Sequence, residues 1–501
     1  MALNLDGDGY GSGALATEGA SSITADLYKE QTSVKQAVII AAGNGSRLQG
    51  YQNGSPKPLL KVGGLYLLER VILSAKKVGV TNFVIVIGYQ AARIRKTINA
   101  QKLGVKITWV RNIEWRKPNG VSVLKAERFV GGKFLLFMSD HIFDYQTLSN
   151  LRSVELNEDG GVLCVDHNLN RVPNLDDATK VRTEGTRLVN LDKSLTDFNA
   201  IDTGIFLLTP DLFDALRQSQ LRGDDSLSGG IRVLSEEGRM RTWDIGDRFW
   251  QDVDTIPDAR HAERLLLHST RSEGDGIIAK SINRKVSNFI TKWLVKTPIT
   301  PNQISIFNFI FSFFTAWVVS HGKPVTTIAA GFMFQLSSIL DGCDGEVAQI
   351  KLRTSKVGAM IDTVTDHLSY MTFVIGVTIG AYHATGSPVV LYVAGSLIVS
   401  VLFSLNLGRI YIKRKNTASL RVLDKDIADL NHAEQGRWYL KFVGYLHPLG
   451  RRDMFSFVAM LVMFSGSITI FFTGLMGALV LLSGGIGVSS LYLLSRKSVL
   501  Q

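Results

Sequence analysis

Four aspartates, Asp341, Asp344, Asp362 and Asp366, stand in the stretch DGCDGEVAQIKLRTSKVGAMIDTVTD, where two apolar runs face each other across a short polar link. The first pair is spaced i, i+3 and the second i, i+4, so on helices each pair lies on one face. If the two helices are antiparallel neighbours, all four carboxylates converge at the membrane surface, and so much negative charge is tolerated there only with cations between the groups. Oxygen-only ligands suit a hard ion, Mg2+ or Mn2+. Gly342, Gly345, Ala348 and Gly358 leave backbone room for a bulky phosphate-bearing ligand.

The spacing DxxDGxxA followed by GxxxDxxxD resembles the signature of the CDP-alcohol phosphotransferase family. The resemblance gives Asp341, Asp344 and Asp362 a metal, adds Asp366 as both ligand and general base, and puts Gly345 and Ala348 against the nucleotide. One position departs from the family: its usual Arg after the Ala is here Gln349, which removes a fixed positive charge that Lys351, Arg353 or Lys356 could restore. Lys356, Arg409 and Lys413 are candidates for holding an anionic acceptor.

A second constellation lies near the N-terminus. QAVIIAA (36–42) reads as a buried strand that delivers a glycine-rich turn, Gly43-Asn44-Gly45-Ser46-Arg47-Leu48, whose backbone N–H groups can cradle a phosphate. Lys57 follows in SPKPL, ten residues past Arg47. AAGxGxRL with PKPLL resembles the sugar-phosphate nucleotidyltransferase family. The resemblance makes Arg47 and Lys57 catalytic cations and puts Ala42, Gly43, Gly45, Asn119, Gly120 and Ser122 against the nucleotide. It also implies a metal on Asp140, after the strand 134–138, and on the acidic element WQDVDT (250–255). Alternation along a strand turns Asp252 and Asp254 to one side, and Asp254 is the expected ligand; His141 is expected to be a hydrogen-bonding neighbour. Lys180, in DATKV, is expected to grip the phosphate of the acceptor.

These groups must be positioned by two different kinds of domain. Up to about residue 270 the chain reads as water-soluble, whereas from about 304 long apolar segments dominate, so the overall mean hydropathy of +0.14 averages two solvents. Strands at 83–88, 106–110, 134–138 and 161–165 alternate with helical patterns, which predicts an α/β, doubly wound, mostly parallel Rossmann-like domain over 36–270. Ligands of such sheets bind at the carboxyl ends of the strands. Residues 1–35, rich in Gly, Ser, Ala and Asp, are expected to be a disordered tail. Cys164 and Cys343 are too few for a disulfide framework and read as packing residues.

In the C-terminal half, 277–296 has its apolar residues on one side and Lys280, Arg284, Lys285 and Lys292 elsewhere, the pattern of an interfacial amphipathic helix. Thr300-Pro301-Asn302 caps and starts the next helix. Apolar segments at 304–320, 325–342, 358–382, 388–412, 454–473 and 475–496 predict an all-α domain of six transmembrane helices over 300–501. Lys and Arg cluster in alternate loops, which places both sites on the cytoplasmic side of a multi-pass cell-membrane protein. The net charge of +11 follows these basic loops, so lipid headgroups and phosphorylated substrates, rather than nucleic acid, are the expected partners. A homodimer through the membrane domain is a further expectation.

Two such domains in one chain imply consecutive steps, one making a CDP-activated alcohol and the other consuming it. The pairing resembles the bifunctional family that joins inositol-1-phosphate cytidylyltransferase to di-myo-inositol-phosphate-phosphate synthase. That resemblance implies CTP and inositol 1-phosphate as substrates, CDP-inositol as the intermediate, and Mg2+ or Mn2+ at both sites. Phospholipid synthesis with another alcohol acceptor, and a cation transporter, stay open as alternatives.

Overall fold

The computed structural model describes residues 34–45, 54–156, 160–172, 174–271, 276, 278–414 and 452–480. Residues 1–33 of the expected N-terminal tail, Arg47 and most of the last expected span lie outside these residues. The chain divides into two compact units, 1–265 and 266–501.

The first unit is built on a nine-stranded sheet in the order β5-β4-β1-β6-β11-β8-β12-β10-β9. Its strands are β1 (Gln36–Ala41), β4 (Asn82–Ile87), β5 (Lys106–Arg111), β6 (Phe134–Met138), β8 (Gly161–Asp166), β9 (Lys180–Glu184), β10 (Arg187–Asp192), β11 (Ala200–Leu208) and β12 (Met240–Asp244). Two small ribbons complete it, β2 (Lys61–Val62) with β3 (Leu65–Tyr66), and β7 (His141–Phe143) with β13 (Trp250–Asp252). The helices are α1 (Leu67–Lys77), α2 (Ala91–Asn99), α3 (Asn119–Leu124), α4 (Gln146–Leu151), α5 (Asp211–Leu221), α6 (Leu227–Glu236) and α7 (Ile256–Ser269).

The strands read as unbroken apolar runs because both faces of the sheet are covered. Ile39, Ile85 and Phe137 enter one core with Val71 and Ile72 of α1. Their strand neighbours Val38, Val84 and Leu136 enter the other, with Leu212 of α5 and Ile231 of α6. The doubly wound expectation is met, but the sheet is mixed rather than mostly parallel. β5, β4, β1 and β6 are parallel, whereas β11 runs antiparallel to β6, β8 and β9. The physical reason is the connection: β9, β10 and β11 follow one another without a crossover helix, and only a crossover returns a strand in parallel.

The second unit is helical: α8 (Arg284–Leu294), α9 (Pro301–Ser320), α10 (Pro324–Ile350), α11 (Lys356–Thr385), α12 (Val389–Arg414), α13 (Arg452–Met463) and α14 (Ile468–Val480). The predicted start of α9 is met, with Thr300 Oγ1 accepting from Gln303 N, Gln303 Oε1 accepting from Thr300 N at 2.9 Å, and Pro301 in the first turn. α9 packs along α11 at glycines: a Cβ on Gly376 would stand 2.5 Å from Ala316 O, and one on Gly380 2.3 Å from Val319 O. This close approach is the small-xxx-small way of joining helices. Phe307, Ile310, Phe314 and Trp317 of α9, with Met360, Met371 and Ile375 of α11, are exposed. Of the six expected spans, the described residues contain one helix that is long and apolar enough by itself, Pro301–Ser320, with hydropathy 1.5; α10, α11 and α12 have the length, and α10 and α11 carry the aspartates.

Candidate active sites

In the α/β unit, β1 ends in the glycine turn as expected, and Gly45 has φ +58, a conformation that L side chains rarely adopt. A Cβ there would also stand 2.5 Å from Lys57 Cβ, so the turn and the lysine are packed as one object. Lys57 is buried, and its ammonium lies 2.6 Å from Asp140 Oδ2, 2.5 Å from Asp254 Oδ1 and 3.5 Å from Asp252 Oδ1. Burial works against its charge, but the three carboxylates outweigh that and hold its pKa above the ordinary lysine range.

The carboxylates are brought together by the β7–β13 ribbon, whose register sets Asp252 directly opposite His141, while Val253 N donates to Asp140 O at 3.1 Å. β13 ends at Asp252, so strand alternation covers Asp252 and stops short of Asp254. His141 Nδ1 lies 2.8 Å from Thr203 O, which turns Nε2 toward Asp140 (3.9 Å) and Asp252 (3.7 Å). Burial pushes Asp252 up to about 6, with Asp140 and Asp254 adding to it and His141 and Lys57 opposing. Burial acts the same way on Asp140, yet Lys57 and His141 prevail and its pKa is lowered. Asp140, His141 and Asp252 each offer one atom within 4.8 Å of the others, and Asp252 Oδ1 is buried without a hydrogen bond. Carboxylates and an imidazole in such a cluster fit a divalent ion.

The other expected residues of this unit have visible structural partners. Asn119 Oδ1 accepts from Leu227 N at 2.9 Å, and Ser122 Oγ accepts from Asn112 Nδ2 at 2.9 Å. A Cβ on Gly120 would stand 2.5 Å from Asp225 O, so this glycine is required by packing against the start of α6. Ala42 O accepts from Tyr89 N at 3.0 Å, while Gly43 has open space beside it. Lys180 Nζ donates to Lys193 O at 2.7 Å and Asp176 O at 3.3 Å, carbonyls of its own strand neighbourhood.

In the helical unit, Asp341 of α10 meets Asp362 and Asp366 of α11, each offering one oxygen within 4.8 Å of the others. Asp344 is held apart. It is buried, accepts from Ser305 Oγ of α9, and takes Gly345 N at 2.5 Å. Three of the four aspartates therefore form an all-oxygen cluster suited to a hard ion. Gly345 and Ala348 lie on α10 after Asp344, and no Cβ on Gly345 would meet anything within 4 Å. Lys351 is buried with Nζ on Thr297 O (2.7 Å) and Ile299 O (3.0 Å), so its charge fastens the loop before α9, while Arg353 stays exposed. Lys356, Arg409 and Lys413 lie on α11 and α12, with side chains outside the described residues.

Sequence reasoning assigned no role to Glu346. It is fully buried, and Arg284 Nη1 (2.8 Å), Ser287 Oγ (2.6 Å) and Thr291 Oγ1 (2.6 Å) of α8 all donate to it. α8 thus turns its small polar face to α10 and leaves Val286, Phe289 and Trp293 exposed, the inverse of an amphipathic helix in water. The signal is the i, i+4 spacing of Ser287 and Thr291 on the side opposite the apolar residues Val286, Phe289 and Trp293.

Comparison with known proteins agrees with this division. The model of the MobA-like NTP transferase domain matches residues 37–239, and that of CDP-alcohol phosphatidyltransferase matches 298–473. A relative from Aquifex aeolicus named "Bifunctional IPC transferase and DIPP synthase" is 35% identical over 335 residues, covering 66% of this chain and 74% of the relative. The chain belongs to the family of bifunctional IPC transferases and DIPP synthases. Family members of the same name from Archaeoglobus fulgidus and Rubrobacter xylanophilus are both 32% identical, covering 75% and 73% of this chain and 72% and 82% of their own lengths. As a member of this family, the chain carries a nucleotidyltransferase and a CDP-alcohol phosphotransferase; Asp341, Asp362 and Asp366 lie within the second match, while Asp140 and His141 lie within the first and Asp252 follows it.

Proposed function

We propose that the chain catalyses two consecutive transfers. In the α/β unit the phosphate oxygen of inositol 1-phosphate attacks the α-phosphorus of CTP, the bond to the β-phosphate breaks, and CDP-inositol and pyrophosphate result. In the helical unit a hydroxyl of a second inositol 1-phosphate attacks the inositol-bearing phosphorus of CDP-inositol, and CMP leaves. The observation that carries this reading is that one chain assembles both clusters, each within the compact unit that matches the family whose chemistry needs it.

In the first step the turn through Ala42, Gly43 and Gly45 receives the phosphates on backbone N–H groups. Lys57 and Arg47 supply positive charge to the oxygens that gain charge as pyrophosphate departs. Asp140, with His141 and Asp252 beside it and Asp254 anchoring Lys57, holds a divalent ion, Mg2+ or Mn2+, that neutralises phosphate charge when bound. Asn119, Gly120 and Ser122 frame the nucleotide, and Lys180 the inositol phosphate. In the second step Asp341, Asp362 and Asp366 hold a divalent ion, with Asp344 fixed behind them by Ser305. Asp366 also takes the proton of the incoming hydroxyl, Gly345 and Ala348 leave room for the cytidine diphosphate, and Lys356, Arg409 and Lys413 receive the acceptor phosphate.

The helical unit is a multi-pass membrane domain of six spans with both sites cytoplasmic, and α8 lies in the interface. What supports this is the exposed apolar surface of α8, α9 and α11 together with the alternation of basic loops. Incubating membranes containing the chain with labelled CTP and inositol 1-phosphate should yield labelled CDP-inositol first and CMP second. Product without labelled CDP-inositol would sink the first step. CMP release that instead tracks a lipid alcohol would replace inositol 1-phosphate as the acceptor.

A further inference from the structure

Charge is distributed very unevenly across the α/β unit. Between Arg93 and Lys117 the chain carries eight Lys and Arg and one acid, Glu114, whereas from Gly161 to Leu265 it carries thirteen Lys and Arg against nineteen acids. The sheet order turns this into a spatial polarity. The basic stretch is α2, the terminal strand β5 and the turn after it, while β8 to β12 with α5 and α6 make the opposite end.

The cations of the two ends are also used differently. At the acidic end many of the basic residues are neutralised locally, among them Arg182 by Asp197 at 3.0 Å, Lys193 by Asp177 at 3.0 Å, Arg222 by Glu236 at 2.6 Å and Arg232 by Asp192 at 2.7 Å. At the basic end the single acid, Glu114, is taken by Lys117 (2.7 Å) and Lys125 (2.8 Å). Arg95, Lys96, Lys102, Lys106 and Arg111 are all exposed, and none forms an ion pair among the described residues. A face that merely kept the domain in solution would interleave both signs, as the β8–β12 end of this unit does.

We propose that the α2–β5 edge of the α/β unit is a docking surface for an anionic lipid bilayer. Densely placed, unneutralised Lys and Arg are drawn to a negatively charged membrane, each contributing about fivefold to binding near the surface. The proposal rests on the membrane reading of the helical unit, because a chain anchored in a bilayer holds this edge at high effective concentration beside lipid headgroups. A single-stranded nucleic acid suits the edge less well. Binding it without sequence preference needs open aromatic faces for stacking, and Trp115 carries the Arg116 guanidinium 4.5 Å over its ring and packs on Tyr89.

The test uses the full chain in nanodiscs of phosphatidylcholine alone or with about a third phosphatidylglycerol. Amide hydrogen exchange over residues 91–111 should be roughly tenfold slower in the anionic discs, and salt at about 0.5 M should remove the difference by screening. The variant R95Q/K96Q/K102Q/K106Q should lose this lipid dependence while still releasing pyrophosphate from CTP, since none of these residues belongs to either site. Equal exchange in both bilayers overturns the proposal. So does protection that CTP, pyrophosphate or a short RNA confers in neutral discs to the same extent. Incorporation into neutral discs is scored separately: a chain that enters them and shows no lipid dependence leaves the membrane reading standing and removes this one.

Discussion

The two acidic clusters are gathered by different means. In the helical unit Asp362 and Asp366 are one helical turn apart, and Asp341 comes from the neighbouring apolar segment, so helix periodicity does most of the gathering. In the α/β unit Asp140 and Asp252 are more than a hundred residues apart, and the β7–β13 register sets them together with Lys57 between them. The comparison teaches that a site built from local spacing depends on two helices staying in place, while one built from strand register depends on the whole sheet. It also shows two ways of stabilising buried acid. One recruits a distant lysine, and the other gives the carboxylate a hydroxyl and a backbone N–H, as Ser305 and Gly345 do for Asp344.

Paired substitutions would break the comparison most sharply. Asp366→Asn is expected to lower CMP release from CDP-inositol about 10³-fold while leaving pyrophosphate release from CTP intact. Lys57→Ala should do the reverse, cutting pyrophosphate release about 10²- to 10³-fold and sparing CMP release. Assaying both products in one preparation checks this, and loss of both activities in either variant would refute separate sites.

A smaller effect concerns how each unit holds its charges. Glu346→Ala leaves Arg284 without its buried partner and should destabilise the helical unit by about 3 kcal/mol. Replacing Asp197, which pairs with Arg182 on the surface of the other unit, should cost well under about 1 kcal/mol. Thermal unfolding of the two variants would measure the contrast, and equal costs would contradict the buried role given to Glu346.

The smallest expected effect is a pH dependence confined to the α/β unit. Burial raises the Asp202 carboxyl to about 6, although the hydrogen bond from Gly204 N and the charge of His141 oppose it. The folded state therefore holds this proton more tightly than the unfolded chain does. The resulting stability is full below about pH 4 and is lost as pH rises through 6. Asp202→Asn should thus stabilise the unit by about 1 to 2 kcal/mol at pH 8 and not at all near pH 4, which urea unfolding at the two pH values would show.

Legible in the sequence were the division into an α/β half and a more apolar helical half, the strand that delivers the glycine turn, the capped start of α9 and the aspartate pairs, because each rests on composition or on spacing within a few residues. β1, β6 and α9 begin within a residue of where their patterns put them or end there. Tertiary packing settled the mixed sheet, the joining of Asp252 to Asp140 and His141 while Asp254 pairs with Lys57, the turn of Asp344 to Ser305 and the fastening of α8 by Glu346. Each of these depends on which distant segment supplies a donor or a strand edge. That choice is made by packing, and a strand shifted by one residue, or a helix turned by a third of a turn, would present a different side chain with the same local pattern.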